Sequence, residues 1–283
     1  MQTFNSGFSQ LVRRRYSCRT FSSREIETEK QDLIRNFISG LEGGAPFGNP
    51  IRFKLSSRKQ LKTENPFTTG TYGMIKGTRA FIVGLIKNGA YKNFEDFGYC
   101  MEKAVMFVTD LGLDSCWIGG VFDRKTFGKI IEIKDNEILP AVIALGYGEG
   151  KRTIRDRLVR WGAKGDSRHP ADRLFFNKDF QHPLRAPHQI LENIGLAPSA
   201  SNKQPWRIVV DDGDFHFYLY RDKLYSKLIP RVDLQRIDMG IAMCHFECSA
   251  AELGLTCQRT DQAPTIAGLP PACEYVTSYS LQQ

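Results

Sequence analysis

Two segments of the chain repeat one another, and this repeat limits the folds that are open to it. Residues 96–113 align without a gap with residues 238–255, and both copies begin with Asp-x-Gly and end with Leu-Gly-Leu. Apolar residues recur at steps of three and four in both copies, which predicts helices. Met239 and Phe246 lie off that stripe, so the second helix is apolar nearly all round and we expect it to be buried. Two related, buried helices predict a fused pseudo-dimer whose halves meet along them.

A second pair of segments supports the same division. Residues 43–53 and 196–210 share Ala-Pro, an Asn, a Pro and an Arg before an extended stretch. We therefore divide the chain into a first half at 1–150, a basic, turn-rich connector at 151–187, and a second, shorter half at 188–283.

Within the second half, the pattern predicts a helix at 188–195, which Gly195 can end. Residues 208–210 and 215–220 are typical of strands and are joined by a turn at 211–214. The region after residue 267 shows no regular pattern.

Charge and cysteine content restrict the partners of the 283-residue chain. It carries 39 Lys+Arg against 31 Asp+Glu, a net charge of +8. The positive residues lack interleaved aromatics and any recognition-helix or RNA-binding motif, so we expect no nucleic-acid partner. No apolar run approaches the roughly 18 residues of a membrane-spanning helix, so we expect no membrane partner. Seven cysteines without disulfide-framework spacing suit a reducing compartment, which predicts a cytoplasmic protein.

The basic residues fall mainly into clusters at 13–19 and 151–164. In the first cluster, Ser17 lies between Arg15 and Arg19. A guanidinium donates two parallel hydrogen bonds to phosphate oxygens, and a hydroxyl between two guanidinium groups adds a third donor. This composition favours one phosphomonoester over a long polyanion. For either cluster taken alone, a solvated basic face remains the alternative.

Four strings together resemble one known family. They are RRYSCRTF at 14–21, GLDSCWIGGVFD at 112–123, LPAVIALGYGE at 139–149 and LAPSASNKQPWRIVV at 196–210. The chain is similar to the FMN-dependent nitroreductases, and most similar to their single-chain tandem branch, over roughly residues 8–255. The resemblance implies an α+β fold, in which antiparallel sheets are flanked by helices and the two related halves form an intrachain pseudo-dimer.

The resemblance also implies which residues bind the cofactor FMN. The implied positions are Arg15, Tyr16, Ser17 and Arg19 at the phosphate and ribityl chain, Gly119 and Gly120 near flavin N5, Pro198, Ser199, Ala200, Ser201 and Asn202 at the isoalloxazine, and Arg155 and Arg157 as further charge at the phosphate. Tyr16 stands where the family commonly has Arg or His. We assign no catalytic side chain, because the cofactor carries the hydride chemistry.

Each half holds only part of this implied site. The first half has the Arg-x-Ser-x-Arg motif but a degraded Ala-Pro-Phe-Gly-Asn, whereas the second half has intact 198–202 but no such arginines. We therefore expect one FMN per chain, at the junction of the halves, and an empty reciprocal site. Because one chain supplies both sides of the site, a functional monomer is compatible with the sequence, and further self-association stays open.

The function implied by the resemblance is that of an oxidoreductase. Hydride would pass from NADH or NADPH through flavin N5 to a nitroaromatic, a quinone or a similar electron-poor acceptor. The alternative is a flavin-binding or flavin-handling protein without turnover of its own. Cys244, His245 and Cys248 could suggest a metal site, but the two cysteines lie on the apolar stripe of the second helix, so we expect core thiols and no metal.

Overall fold

Each half of the chain contributes a sheet and one long central helix. The computed structural model describes residues 4–57, 75–120, 122–149, 167–223 and 231–283. The elements of the first half are α1 (Phe8–Arg14), α2 (Thr28–Gly40), β1 (Ile51–Ser57), β2 (Ala80–Lys87), α3 (Asn93–Asp110), β3 (Asp114–Ile118), α4 (Arg124–Ile131), β4 (Glu137–Ile138) and β5 (Val142–Gly146). Those that follow are α5 (Ala171–Leu174), β6 (Phe175–Asn177), α6 (Gln189–Gly195), β7 (Trp206–Asp211), β8 (Asp214–Tyr220), α7 (Leu234–Glu252), β9 (Thr256–Thr260) and β10 (Cys273–Gln282).

The two sheets share one strand order. The first runs β1-β2-β5-β3, with β4 also paired to β2, and the second runs β6-β7-β8-β10-β9. We leave out β4 and β6 and number the four remaining strands of each sheet in chain order. Their spatial order across the sheet is then first, second, fourth, third in both sheets. All pairs are antiparallel except β6–β7. The predicted α+β class with antiparallel sheets and flanking helices is confirmed. None of the helices in the described part of the chain has the length and apolar character of a membrane span.

The central helices α3 and α7 touch backbone to backbone. A Cβ atom on Gly98 would overlap the carbonyl oxygen of Ile237, and one on Gly240 would overlap that of Glu95. Ile237 and Gly240 are the repeat equivalents of Glu95 and Gly98, so the contact is reciprocal, as in an isologous two-fold interface. The shared glycine of the repeat is therefore required by the close approach of the helices.

The Leu-Gly-Leu ends of the repeat form the same helix cap twice. Gly112 and Gly254 have φ values of 77° and 75°. The amide of Leu113 donates to the carbonyl of Val108, and the amide of Leu255 donates to that of Ala250. These are the bonds of a Schellman motif, in which glycine takes the left-handed position.

The shared aspartate of the repeat, Asp96 in α3 and Asp238 in α7, anchors a loop. The Asp96 carboxylate accepts hydrogen bonds from the amides of Phe47 and Asn49 at 2.7 and 2.9 Å. The Asp238 carboxylate accepts one from the amide of Ala200 at 2.9 Å. Each aspartate thus holds the Ala-Pro loop of its own half. Both carboxyl groups are buried, and burial raises the pKa of each above the usual range.

A buried polar network also joins the halves. His245 Nε2 lies 3.0 Å from Glu102 Oε1, and its Nδ1 lies 2.9 Å from the carbonyl oxygen of Asn193. The indole of Trp117 donates to the other Glu102 oxygen at 2.8 Å. Cys244 and Cys248 are buried beside this network, with their Sγ atoms 4.0 Å apart. Their placement agrees with core thiols.

Two strands differ from the sequence expectations. The region after 267, which shows no regular pattern, contains β10, the strand between β8 and β9. A register shift between Tyr275 and Thr277 interrupts the alternation of inward and outward side chains along β10. The buried positions of β10 include the polar residues Thr277 and Ser278. The end of the connector supplies β6, which pairs in parallel with β7 and so extends the second sheet.

Gly98→Ala is expected to destabilise the fold strongly. The added methyl group overlaps the backbone of α7, which no side-chain rotation can relieve. We expect a loss of about 3 kcal/mol in the free energy of unfolding, measured by urea denaturation. Gly40→Ala is the matched control, because Gly40 lies in α2 with open space around the new atom. Equal stability of the two variants would contradict the close crossing of α3 and α7.

Asp238→Asn is expected to stabilise the protein at neutral pH. Burial raises the pKa of Asp238, so the folded protein disfavours its charged form. Asparagine has the same shape, keeps an oxygen for the amide of Ala200, and cannot ionise. We expect a gain of about 1–3 kcal/mol in the free energy of unfolding at neutral pH.

The pH dependence of that gain has a definite sign. Because the folded pKa of Asp238 is raised, its contribution to stability is fully present below the unfolded value of about 3.9 and is lost as pH rises through the folded pKa. The advantage of Asp238→Asn should therefore grow from acid to neutral pH, as followed by urea denaturation at several pH values. Asp96→Asn is the contrast, because Asp96 accepts bonds at both oxygens and the amide would lose some of them. A constant or shrinking advantage would show that Asp238 is ionised in the folded protein.

Candidate functional site

The Arg-x-Ser-x-Arg motif is extended and lies beside the start of β3. It begins at Arg15, the C-terminal cap of α1. Ser17 lies opposite Ser115 in a parallel bridge, and the amide of Cys18 donates to the carbonyl of Ser115 at 2.9 Å. This pairing brings the motif to the C-terminal end of α3.

A cleft of about 210 Å³ opens at this place. The residues that line it are Arg14, Arg15, Tyr16, Thr109, Gly112, Leu113, Asp114 and Ser115. Two guanidinium groups face a single carboxylate in this lining, so the cleft carries positive charge. Arg15 and Tyr16 of the predicted positions line it, whereas Ser17 and Arg19 are outside the lining.

Tyr16 and Cys18 stay protonated at neutral pH. Burial raises the pKa of Tyr16 above its usual range, with further contributions from the neighbouring Cys18 and Asp114. Burial also raises the pKa of Cys18 to about 12, and its thiol donates to the carbonyl of Thr20 at 3.3 Å. Tyr16 is therefore a neutral hydroxyl, and Cys18 is not a reactive thiolate.

Arg19 has a feature that points to an anion. Its Nη1 atom is buried and has no hydrogen-bond partner in the described part of the chain. A buried donor without an acceptor costs free energy, and a donor on a charged group costs more. The Arg19 guanidinium therefore fits an anionic ligand, and the backbone of the same residue is held by the amide of Lys76 at 2.8 Å.

Gly119 and Gly120 follow β3 at the junction of the halves. A Cβ atom on Gly119 would lie 2.8 Å from Cδ2 of Leu234, the first residue of α7. The carbonyl of Gly119 accepts a hydrogen bond from Arg124 Nη2 at 2.9 Å. A side chain at position 119 would displace the Leu234 side chain where the halves touch, while Gly120 is exposed.

The predicted segment 198–202 forms a strained turn. It ends in a 3-10 turn at Ala200–Asn202, and the amide of Gln204 donates to Ser199 Oγ at 2.9 Å. Ser201, Asn202 and Gln204 have φ values of 49°, 54° and 46°. Left-handed backbone at three non-glycine residues is costly and is typical of sites under functional constraint.

The Asn202 side chain contacts the connector. Its Oδ1 accepts a hydrogen bond from Arg168 Nη1 at 3.0 Å, and its Nδ2 donates to the carbonyl of Ser167 at 2.7 Å. The sequence motif alone gives no signal of this contact, because the partner lies 34 residues earlier.

Three of the predicted groups of residues lie in the described ranges, and the structure brings two of them, the 119–120 loop and the 198–202 turn, to one place. Gly119 contacts Leu234 and Ala200 bonds to Asp238, so both loops border the first turns of α7. The Arg15–Arg19 segment pairs with Ser115. Ser115 precedes Gly119 by four residues, so about 13 Å of extended chain separates the segment from the Gly119 loop. Arg155 and Arg157 lie outside the described residues.

The second half has a cleft at the repeat-equivalent position. Its volume is about 690 Å³, and the residues that line it are Phe4, Ser6, Gly7, Phe8, Tyr99, Lys103, Glu247, Cys248, Ala251, Glu252, Gly254, Leu255 and Thr256. Ala251, Gly254 and Leu255 are the equivalents of Thr109, Gly112 and Leu113. Two glutamates and one lysine stand here in place of the arginines, so the equivalent clefts differ in charge.

Sequence reasoning missed a third cavity, of about 850 Å³, within the second half. The residues that line it are Ser167, His169, Arg173, Ser201, Asn202, Lys203, Gln204, Pro205, Arg207, Tyr220, Arg221, Asp222, Lys223 and Gln235. The one signal for it in the sequence is Arg207, a charged residue between the apolar Trp206 and Ile208.

Comparison with known proteins places the chain among nitroreductases. The family model described as "Putative TM nitroreductase" matches residues 8–250. The crystal structure of a "putative nitroreductase" from Thermotoga maritima is 19% identical, with 98% of this chain and 93% of that chain covered at a TM-score of 0.56. No curated protein matches the chain.

Two shorter structures match about half of the chain. An FMN-dependent nitroreductase from Clostridium difficile is 19% identical and covers 50% of this chain and 88% of its own, with a TM-score of 0.40. A "Putative NADH dehydrogenase/NAD(P)H nitroreductase" from Bacteroides thetaiotaomicron is 19% identical and covers 51% of this chain and 88% of its own, with a TM-score of 0.42.

The family match includes the arginine motif, both central helices and the 198–202 turn. The Thermotoga structure shares the fold over almost the whole chain. The resemblance to nitroreductases is thereby confirmed, and the chain belongs to the TM nitroreductase family.

Proposed function

We propose that the chain is an FMN-dependent oxidoreductase that transfers hydride from NADH or NADPH to a nitroaromatic, a quinone or a similar electron-poor acceptor. The observation that carries the proposal is the buried Nη1 atom of Arg19, which has no acceptor in the described part of the chain. A phosphate oxygen is the kind of acceptor that a guanidinium binds best. Family membership and the FMN-dependent relative from Clostridium difficile support the same cofactor.

The residues present fit FMN in character. The described residues that would hold it are Arg15, Tyr16, Ser17, Arg19, Gly119, Gly120, Pro198, Ser199, Ala200, Ser201 and Asn202. The arginines and Ser17 would bind the phosphate, and the two loops at the start of α7 would border the ring. Arg155 and Arg157, outside the described residues, would add positive charge.

When bound, FMN would supply the redox chemistry, since its N5 atom accepts and donates hydride. The chain would bind and orient the cofactor and stabilise negative charge through its arginines. Tyr16 would donate a hydrogen bond but not act as a base, because burial keeps its hydroxyl protonated by raising its pKa. We assign no described side chain as a general acid or base.

The difference between the equivalent clefts supports one FMN per chain. Arg14 and Arg15 line the first cleft, whereas Glu247 and Glu252 line the second and would repel a phosphate. Since both sides of the proposed site belong to one chain, the monomer would be sufficient for activity.

The full-length protein is expected to purify with about one FMN per chain, and NADH or NADPH is expected to bleach the flavin under anaerobic conditions. The absorption spectrum of flavin released from a known amount of denatured protein gives the ratio. A ratio near two would contradict the single site. Bound flavin that neither nucleotide reduces would favour the alternative, a flavin-binding protein without turnover.

Arg15→Ala is expected to weaken FMN binding by roughly one to two orders of magnitude. The substitution removes one charge-assisted contact to phosphate, worth about 1.5–3 kcal/mol. Fluorescence titration of the apoprotein with FMN measures the change.

Arg13→Ala is the matched control for that variant. Arg13 is an exposed residue of α1 that donates to the Ser9 carbonyl and lies outside the cleft lining. It should bind FMN like the unaltered protein. Equal FMN affinity in the Arg15→Ala and Arg13→Ala variants would remove the phosphate assignment.

A further inference from the structure

We propose that the second half carries a separate binding site for the phosphate group of a small organic molecule, built on Arg207 and Arg173. Both side chains line the 850 Å³ cavity between the connector, the turn after Asn202 and the end of β8. The proposal does not depend on FMN binding elsewhere in the chain.

The Arg207 guanidinium is buried without a counter-charge. The residue is only 6% exposed. Its Nη1 donates to the carbonyl oxygens of Gln204 and Trp206 at 3.1 and 2.7 Å, and its Cζ lies 4.8 Å from the Tyr220 ring centroid. Within the described ranges, no carboxylate forms an ion pair with it, and its other N–H groups donate to no protein acceptor. A buried charge is strongly unfavourable unless an opposite charge compensates it.

Arg173 adds a second positive charge at the same cavity. Burial, with a smaller contribution from the Arg173 charge, lowers the pKa of Arg207 to about 10. Arg207 therefore remains protonated at neutral pH, with a like charge as its neighbour. Arg173 is exposed on α5, and its Nη1 atom lies 3.3 Å from His169 Nδ1. An anion between the two guanidinium groups would relieve the repulsion and supply the missing acceptors.

Two other cations of the cavity, Lys203 and Arg221, have carboxylate partners. Lys203 pairs with Asp222 at 3.0 Å. Arg221 pairs with Asp233 at 2.7 Å and with Glu274 at 2.9 Å. A ligand would therefore neutralise Arg207 and Arg173, and Lys223, which also lines the cavity, would add a further positive charge.

The size of the cavity favours an organic phosphate over the free ion. Its volume of about 850 Å³ lies in the range of sites for drug-sized molecules. Tyr220, 41% exposed at the cavity, offers aromatic surface to the organic part. No first-half residue lines this cavity, so it is distinct from the Arg15 cleft and from the Gly119 loop; Ser201 and Asn202 of the turn proposed to border the flavin ring do line it, which is why FMN is a competitor in the test.

Calorimetric titration of the full-length protein with inorganic phosphate tests the site. The parent for the series is Arg15→Ala, which weakens the proposed FMN phosphate contact and leaves the second half unaltered. We expect saturable binding in this parent, about tenfold weaker after Arg173→Gln or Arg207→Lys. Because Arg173 is exposed, its substitution tests the site without a risk to folding. Arg207→Lys keeps the positive charge but removes the planar guanidinium group that can donate two parallel hydrogen bonds to phosphate. Arg35→Gln, an exposed residue of α2 paired with Asp32, is the matched control and should bind phosphate like the parent.

Each outcome decides the proposal. No saturable binding in the parent, or undiminished binding in both cavity variants, would overturn it. Displacement of phosphate by FMN would also overturn it, because the site would then belong to the flavin. Displacement by NADPH but not by NADH would support it and identify the ligand as a dinucleotide 2′-phosphate. Phosphate binding that depends on both arginines and resists both dinucleotides would support it for another phosphorylated molecule.

Discussion

The backbone contact between Gly98 and Ile237, repeated between Gly240 and Glu95, is the constraint on which the arrangement of the halves depends. Without Cβ atoms at the crossing, α3 and α7 approach closely enough for side chains farther along to meet. One such meeting is the buried pair of Glu102 and His245. Because β3 follows α3 directly, the crossing also brings the Gly119 loop against the first residue of α7.

The N-terminal segment explains why the halves cannot be equal. The amides of Asn5 and Ser6 donate to the Asp110 carboxylate, and the amide and hydroxyl of Ser9 donate to the Glu252 carboxylate. Asp110 and Glu252 occupy equivalent positions of the repeat, so one segment spans both helix ends and itself has no second copy. It lines the cleft of the second half and places Arg14 and Arg15, at the end of α1, at the cleft of the first. Arginines therefore line the first cleft, whereas two glutamates and a lysine line the second, because a single N-terminal segment joins two related helices.

The sequence predicted what a repeat or a local pattern specifies. The long helices, their Leu-Gly-Leu ends and the β7–β8 hairpin follow from periodicity and glycine chemistry, and the structure contains each of them. The strand after residue 267 could not be predicted, because its bulge and its buried Thr277 and Ser278 remove the alternation that identifies strands. The contact of Asn202 with the connector could not be predicted either, since it joins residues from separate segments. The role of Asp96 and Asp238 as loop anchors is also a long-range contact, although their identity in the repeat marked them as constrained.

Burial and pairing together separate structural arginines from those suited to ligands. Arg221 and Arg236 lie in a network with Asp233 and Glu274, and Arg236 also reaches Glu95 across the junction of the halves. These ion pairs hold elements together, so their charge is already neutralised within the fold. Arg19 and Arg207 differ, because each is at least partly removed from water and neither has a carboxylate partner in the described ranges. Arg207 donates to two backbone carbonyl oxygens, and an anion bound at either place would add the opposite charge that the described part of the fold does not supply. The positive charge of the chain therefore includes a few guanidinium groups that have no carboxylate partner in the described ranges, and these are the groups best suited to an anionic ligand.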